Sequence, residues 1–270
     1  MDEEKRKLQR AILSIAVEIK RICELYNIPY FINSGTQLGA VRHRGFIPWD
    51  DDFDIGMKRK DYEHFLKICD RELDKSKYFL QTEDTEPYYA FCFGKIQLKN
   101  TNIIEEFSKN VPIQHGIFVD IFPYDNLPDN SLVRKLYLFQ NHFIKNLLWV
   151  KCGYGEEFHK KKRTYKILKV LSRFISNERL KEIRKRLLRK YNSLKTRQCF
   201  SGDYPGERLM NSWFDSLVDY EFETEFFKGF EKYDEYLSRM YGNYMELPPV
   251  EQRVTHTTVK VEYGPYNDYF

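Results

Sequence analysis

The sequence predicts an α+β fold, a mixed β-sheet core flanked by helices, and two features of its patterning carry that expectation. Apolar residues recur at three- and four-residue spacing in the first 26 residues and again through residues 132 to 194, the signature of amphipathic helices. Between residues 30 and 122 the apolar residues fall instead in short runs bounded by turn residues, as strands do.

Taken in order, residues 4 to 26 form a helix whose stripe is Leu8, Ile12, Ile15, Ile19, Ile22 and Tyr26, and Pro29 ends it. Tyr30 to Ile32 reads as a strand. Asn33, Ser34 and Gly35 make a tight turn into a helix that begins near Thr36 and carries Leu38, Ala40 and Val41. Beyond Pro48, Asp52 to Met57 reads as a strand with Phe53 and Ile55 on one face, so Asp52 and Asp54 share the other. A helix from about Asp61 to Leu73 follows, then strands near Phe79, at Phe93 to Leu98, at Asn102 to Glu105 and at Ile117 to Phe122. Residues 132 to 194 are helical, with Leu168, Leu171, Phe174 and Ile175 spaced for burial on one face. Ser201 to Pro205 reads as a loop and residues 223 to 241 as a further helix; Gly242, Pro248 and Pro249 then break the chain before a final extended segment. There is no internal repeat.

Charge divides the chain more sharply than its net +4 suggests, because residues 131 to 200 hold 20 Lys and Arg against 4 Glu, and the remainder is acidic. The expected organisation is a catalytic core at 1–130, a basic helical region at 131–200, and C-terminal elements at 201–270 that complete the site. Five widely separated cysteines with no C-x-x-C pair are read as reduced and structural. No apolar run reaches membrane-spanning length and the chain opens on Asp2, Glu3, Glu4 and Lys5, which predicts a cytoplasmic protein.

Chemistry concentrates in the acids. Two carboxylates at i and i+2 on one strand face sit about 7 Å apart at their backbones and converge on a divalent cation, Mg2+ or Mn2+. Asp120, a lone acid between Val119 and Ile121 in an apolar strand, is the natural third member, since burying it needs a positive partner. A solvated acidic turn is the bland alternative. An EF-hand starting at Asp50 is disfavoured, because its sixth and twelfth positions are Ile55 and Asp61 rather than Gly and Glu. The Ser34-Gly35-Thr36 turn offers N–H groups and a hydroxyl to a phosphate. A Gly turn 17 to 19 residues before a D-x-D strand, with a later strand Asp, is the arrangement of a nucleotidyltransferase-like core.

The segment Gly35-Thr36-Gln37-Leu38-Gly39-Ala40-Val41-Arg42-His43, running into Gly45-Phe46-Ile47-Pro48-Trp49-Asp50-Asp51-Asp52-Phe53-Asp54-Ile55, resembles the signature of the LicD and fukutin-related family. Asp61-Tyr62, Phe118 to Pro123, and Leu247 to Arg253 with His256 extend the resemblance. It implies transfer of phosphocholine, or a related alcohol phosphate, from a CDP-alcohol donor such as CDP-choline to a glycan acceptor of the teichoic acid or lipopolysaccharide type, with release of CMP. It also implies Asp52 and Asp54 as the metal-binding pair, Asp120 as the third carboxylate, either ligand or general base, and Gly35 and Thr36 in the phosphate turn. Ser34 stands where many members have Gly, and Thr257 where many have a second His.

Arg42, then Lys95 and Arg253, are candidates to neutralise the diphosphate, with surface roles an equal alternative. His43 and His256 are weaker candidates, and Trp49 either shapes the donor pocket or packs in the core. Two rival readings are a nucleotidyltransferase that consumes a nucleoside triphosphate and releases pyrophosphate, and a non-catalytic nucleic-acid-binding module using the basic segment; the acid triad argues against the latter, so no nucleic-acid partner is expected. A lipid-linked acceptor would bring the enzyme to an anionic membrane surface, through Lys160 to Arg163 and Arg184 to Lys190, with apolar helix faces remaining buried.

Overall fold

The computed structural model describes residues 3–253 and 258–270, so His256 lies outside the described residues. Helix α1 (Glu3–Leu25) buries the predicted stripe of Leu8, Ile12, Ile15, Ile19 and Ile22, each at 5% exposure or less. Each such side chain contributes roughly 1.5–3 kcal/mol relative to exposure, so a charge at Ile15 would break the element's packing. The helix is followed by Asn27 in the left-handed region (φ 51°). Strand β1 (Phe31–Ile32), helix α2 (Ser34–His43), strand β2 (Asp54–Lys58) and helix α3 (Arg59–Glu72) come next. Strands β3 (Tyr78–Gln81), β4 (Gly94–Leu98), β5 (Asn102–Glu105) and β6 (Phe118–Asn126) match the predicted strands to within a few residues.

The basic region comprises α4 (Ser131–Cys152), α5 (Glu156–His159), α6 (Arg163–Leu171) and α7 (Asn177–Arg189). Asn130 caps α4 by accepting from the amides of Leu132 and Val133, and Gly153 ends it at φ 93°, a conformation that favours glycine. Strands β7 (Gln198–Ser201), β8 (Arg208–Met210), β9 (Leu217–Phe222) and β10 (Glu225–Phe230), helix α8 (Tyr233–Tyr241) and strand β11 (Thr258–Glu262) complete the described chain.

The main sheet runs β1-β2-β6-β4-β3, with β7 on the far half of β6 and β8 beside β7. Strands β2 and β6 are parallel and their neighbours antiparallel, the mixed sheet that the sequence predicts. The parallel register sets Asp54 opposite Asp120, and the antiparallel one sets Lys95 of β4 opposite Asp120 on its other side. Chemistry-bearing residues of three strands therefore meet at one level of the sheet.

Four expectations are corrected. Residues 223–241 are not one helix: Glu225–Phe230 pairs with Leu217–Phe222 in a hairpin turned at Glu223 (φ 56°), and only Tyr233–Tyr241 is helical. The aromatic residues there matched helical spacing, but β-pairing buries Phe222, Phe227 and Phe230. Ser201, taken as loop, ends a strand paired to Tyr124. Apolar faces of the basic helices are not all buried, since Leu171 and Phe174 stand 42% and 81% exposed while Leu168 and Ile175 pack against the core. Finally, Arg184 is no surface cation: it is 1% exposed and pairs with Asp203 at 2.7 Å. Its guanidinium also donates to the carbonyls of Ala90 and Gly202, so α7 is clamped to the chain on either side of the sheet strands it covers.

All five cysteines are free and buried, as their spacing implied. Among the described residues no helix is long and apolar enough to cross a membrane.

Candidate functional site

The site is built where β2 begins. Asp52 and Phe53 lead into the strand, and the carbonyl of Phe53 already accepts from the Asp120 amide at 3.2 Å, so the lead-in is held in sheet geometry before Asp54. Thr36 sets the same point from α2, its hydroxyl accepting the Asp54 amide at 2.9 Å. Thr36 thus positions the acidic strand, a role that its place in a phosphate turn had not suggested.

Asp54 is crowded by burial and by four acids. Desolvation first, then the charges of Asp52, Asp120, Glu207 and Asp50, push its carboxyl well above the usual carboxylate range. Asp120 is pushed up to about 6, mainly by burial and against the pull of Lys95, whose Nζ lies 3.0 Å from Oδ1. That contact holds the buried Oδ1 against the one ammonium that faces it across the strands. Lys95, a candidate to neutralise the diphosphate, pairs here with Asp120.

Glu207 was not anticipated. It follows the loop after β7, far in sequence from the motif; its carboxyl is raised by burial and by Asp52, and it accepts from the Ser34 hydroxyl at 3.4 Å. A lone Glu beside Pro205 and Gly206 carries no sequence signal of its own.

The turn of Ser34, Gly35 and Thr36 is less open to a phosphate than its composition implied. Ser34 sits at φ 46° and its amide donates to the Tyr236 hydroxyl at 2.7 Å, while the Thr36 amide donates to the Asn33 carbonyl at 2.9 Å. A Cβ at Gly35 would lie 3.1 Å from an oxygen of Asp50, so glycine there lets the turn close against that carboxylate.

Arg42, His43, Trp49 and Arg253 form a second group. The Arg253 guanidinium lies 4.7 Å from the Trp49 ring centre, and the His43 ring meets Trp49 edge-on at 6.4 Å. Arg42 donates to the Tyr244 carbonyl and to His43 Nε2. Burial and then the Arg42 charge hold His43 below the ordinary histidine value, which favours a neutral ring that accepts this bond.

Beside the acids opens a cavity of about 130 Å3 with Asp51, Asp52, Glu105, Asp120 and Lys95 in its lining. Its remaining walls are mostly aromatic: Phe91, Phe93, Phe107, Phe118, Trp149 and Tyr204. Lys95 Nζ lies 3.2 Å from the centre of the Phe118 ring, and Lys145 Nζ lies 5.1 Å from that of Trp149, so ring faces in this wall already hold cations.

The residues suit a divalent cation in charge: clustered, buried carboxylates whose affinity for protons is raised. Among the described residues, however, no three His, Cys, Asp or Glu side chains are already posed as a closed ligand set.

A family described as LicD/FKTN/FKRP, nucleotidyltransferase domain, matches residues 27–153, the span holding Thr36, Asp52, Asp54, Lys95 and Asp120. The chain is 31% identical over 261 residues to a lipopolysaccharide cholinephosphotransferase LicD of Haemophilus influenzae, a match covering 93% of this chain and 95% of the relative. Shorter matches, 62% and 60% identical over 42 residues or 16% of this chain, link it to uncharacterised proteins of Rickettsia typhi and Rickettsia prowazekii. With nearly its whole length aligned to that transferase and the acids of the family's domain gathered at one level of its sheet, the chain belongs to the LicD family of transferases.

Proposed function

We propose that this enzyme transfers phosphocholine from CDP-choline to a glycan acceptor of the lipopolysaccharide or teichoic acid type and releases CMP. The observation that carries this reading is the aromatic cavity opening directly beside Asp52 and Asp120. It has the size of a headgroup rather than a nucleotide, its acids outnumber its one lysine, and aromatic faces attract a quaternary ammonium by about 0.5 to 2 kcal/mol each. The relative from Haemophilus influenzae, named for cholinephosphotransferase activity on lipopolysaccharide, supports the choice of headgroup and acceptor.

Asp52 and Asp54, with Asp120 or Glu207, would hold Mg2+ or Mn2+. When bound, such an ion neutralises charge on a diphosphate and on a leaving phosphate. The chain's own work is positioning: Thr36 fixes the entry of β2, and Glu207 holds the Ser34 turn. Asp120, raised to about 6 and drawn back by Lys95, would also accept the proton of an acceptor hydroxyl. Arg42 and Arg253, gathered at Trp49, supply the positive charge for the remaining phosphate oxygens.

The test is a donor panel. CMP should appear faster from CDP-choline than from CDP-ribitol or CDP-glycerol, with divalent cation present and acceptor glycan supplied. Preference for an uncharged alditol would overturn the headgroup assignment, and pyrophosphate release from a nucleoside triphosphate would overturn the reaction class.

A further inference from the structure

Two neighbouring helices of the basic region show water an ordered apolar face. On α4, Leu132, Leu136, Phe139 and Phe143 follow one another at four-, three- and four-residue steps, which stacks them on one side, and they are 73%, 58%, 66% and 41% exposed. The opposite side of α4 buries Tyr137, Asn141, Leu148 and Cys152, so the helix is seated and its outer stripe is surplus. On α6 and the turn after it, Ile167, Val170, Leu171 and Phe174 repeat the pattern with 50%, 52%, 42% and 81% exposure. The helices touch, and Lys151 of α4 donates to the Ser172 carbonyl at the end of α6. Isolated exposed leucines need no explanation, but two stripes on adjoining helices mark a surface that meets something apolar.

The charges around the stripes say what. Lys160, Lys161, Lys162, Arg163, Lys166 and Arg173 are all exposed around α6, and among the described residues none of them forms an ion pair. Lys135 flanks the stripe on α4 in the same way. Three cations of α7 differ: Lys185 pairs with Asp84, Arg186 with Glu182 and Arg189 with Glu63, whereas Arg179 is exposed without an ion pair among the described residues. Unpaired positive charge is therefore concentrated where the apolar side chains protrude.

We infer that α4 and α6 form a membrane-binding face that lies in the interfacial zone of an anionic bilayer, with the large apolar side chains entering the acyl boundary and the Lys and Arg side chains reaching back to anionic headgroups. A second copy of this chain fits the surface less well, because two such faces would bring their positive rims together. The attachment is partly hydrophobic, unlike one made by surface lysines alone. Trp149, on the same helix as Phe143 and six residues on, lines the aromatic cavity, so the bound enzyme would hold its site close to the membrane surface.

Vesicle binding without donor or acceptor tests this independently of the transfer reaction. The full chain should co-sediment with phosphatidylcholine vesicles containing phosphatidylglycerol and not with phosphatidylcholine alone. The quadruple change of Lys160, Lys161, Lys162 and Arg163 to Gln should weaken binding at least about tenfold, since each such residue near an anionic surface is worth roughly fivefold. Phe139→Glu and Phe174→Glu, both at exposed positions that leave the core intact, should each weaken it about tenfold as well. Phe139→Cys, a sole accessible thiol because all five native cysteines are buried, carries an environment-sensitive fluorophore that should shift to the blue on binding. Binding that survives both Glu variants with no blue shift would reduce the surface to plain electrostatics and overturn the proposal. So would the absence of vesicle binding, or a dimer in sedimentation that Phe139→Glu dissociates.

Discussion

Asp54 and Asp120 stand directly opposite each other on adjacent parallel strands, and Lys95 stands opposite Asp120 on the next strand over. Neighbouring strands lie about 4.8 Å apart, so register alone brings two buried carboxylates into mutual repulsion and places one ammonium where it relieves half of it. Such a pair is costly in the resting protein, a cost that the proposed chemistry would account for.

Removing one acid should therefore separate activity from stability. Asp54→Asn and Asp52→Ala should each lower turnover by at least about a hundredfold, the scale of losing a principal electrostatic contact. The thermal midpoint should hold or rise, because burial and neighbouring acids disfavour the Asp54 carboxylate in the folded state. CMP release and a melting curve on the same preparation decide it. Near-normal turnover in either variant, or in excess chelator, would refute the role assigned to the pair.

Much of this was legible beforehand, for reasons that particular residues make plain. Asp54 and Asp120 are legible as candidates because an acid in an apolar strand is anomalous wherever the strand sits; Asp52, in the lead-in to β2, came from its spacing to Asp54. Glu207 is not, because a Glu in a polar loop is ordinary until tertiary contact brings it to Ser34 and Asp52. The helix expected over residues 223–241 failed where a hairpin buried Phe222, Phe227 and Phe230; local period cannot separate the two when aromatics cluster. The pairing of Lys95 with Asp120 was not legible, since antiparallel register is invisible in one sequence.

Glu207→Gln tests the contribution found only in three dimensions. The amide keeps an acceptor for the Ser34 hydroxyl but loses the charge, so folding should persist while kcat/KM falls by about tenfold or more. Equal loss in Glu207→Gln and Ser34→Ala would point to the turn's position. A loss confined to Glu207→Gln, with a raised requirement for divalent cation, would point to charge. Full activity in Glu207→Gln would remove the residue from the site.

The clamp between α7 and the sheet carries a pH dependence. Burial alone would raise the Asp203 carboxyl, yet Arg184 and Lys145 hold it below the ordinary carboxylate value. A folded-state value below the unfolded one means that the pair stabilises the protein above the unfolded pKa, about 3.9, and that this stability is lost as pH falls through the depressed folded value. Asp203→Asn should cost about 3 to 5 kcal/mol near neutral pH, the usual result of leaving a buried Arg184 without its anion. The gap between wild type and variant in urea unfolding should narrow below about pH 4. A gap independent of pH would show that packing, not charge, holds the helix.

The aromatic cavity makes the sharpest demand on the proposed donor. If its ring faces hold a trimethylammonium group, then Trp149→Leu and Tyr204→Leu keep apolar bulk while removing the quadrupole that a cation feels. Each change should raise KM for CDP-choline by about 2- to 30-fold, the range that 0.5 to 2 kcal/mol per contact allows. CDP-glycerol, whose headgroup is uncharged, should be turned over with nearly the same KM by wild type and variants. The ratio of the two specificity constants is thus the informative quantity, because a general disturbance of α4 or of the loop after β7 would slow both donors together. Lys145, 5.1 Å from the Trp149 ring centre and 5.8 Å from that of Tyr204, provides a second test, read as the same ratio between donors because its ammonium also lies 3.9 Å from Asp203. Lys145→Met withdraws a cation that competes for the same two rings, so it should sharpen the preference for CDP-choline where the Leu variants erase it. A Lys145→Met enzyme that preferred the alditol donor would place the headgroup elsewhere.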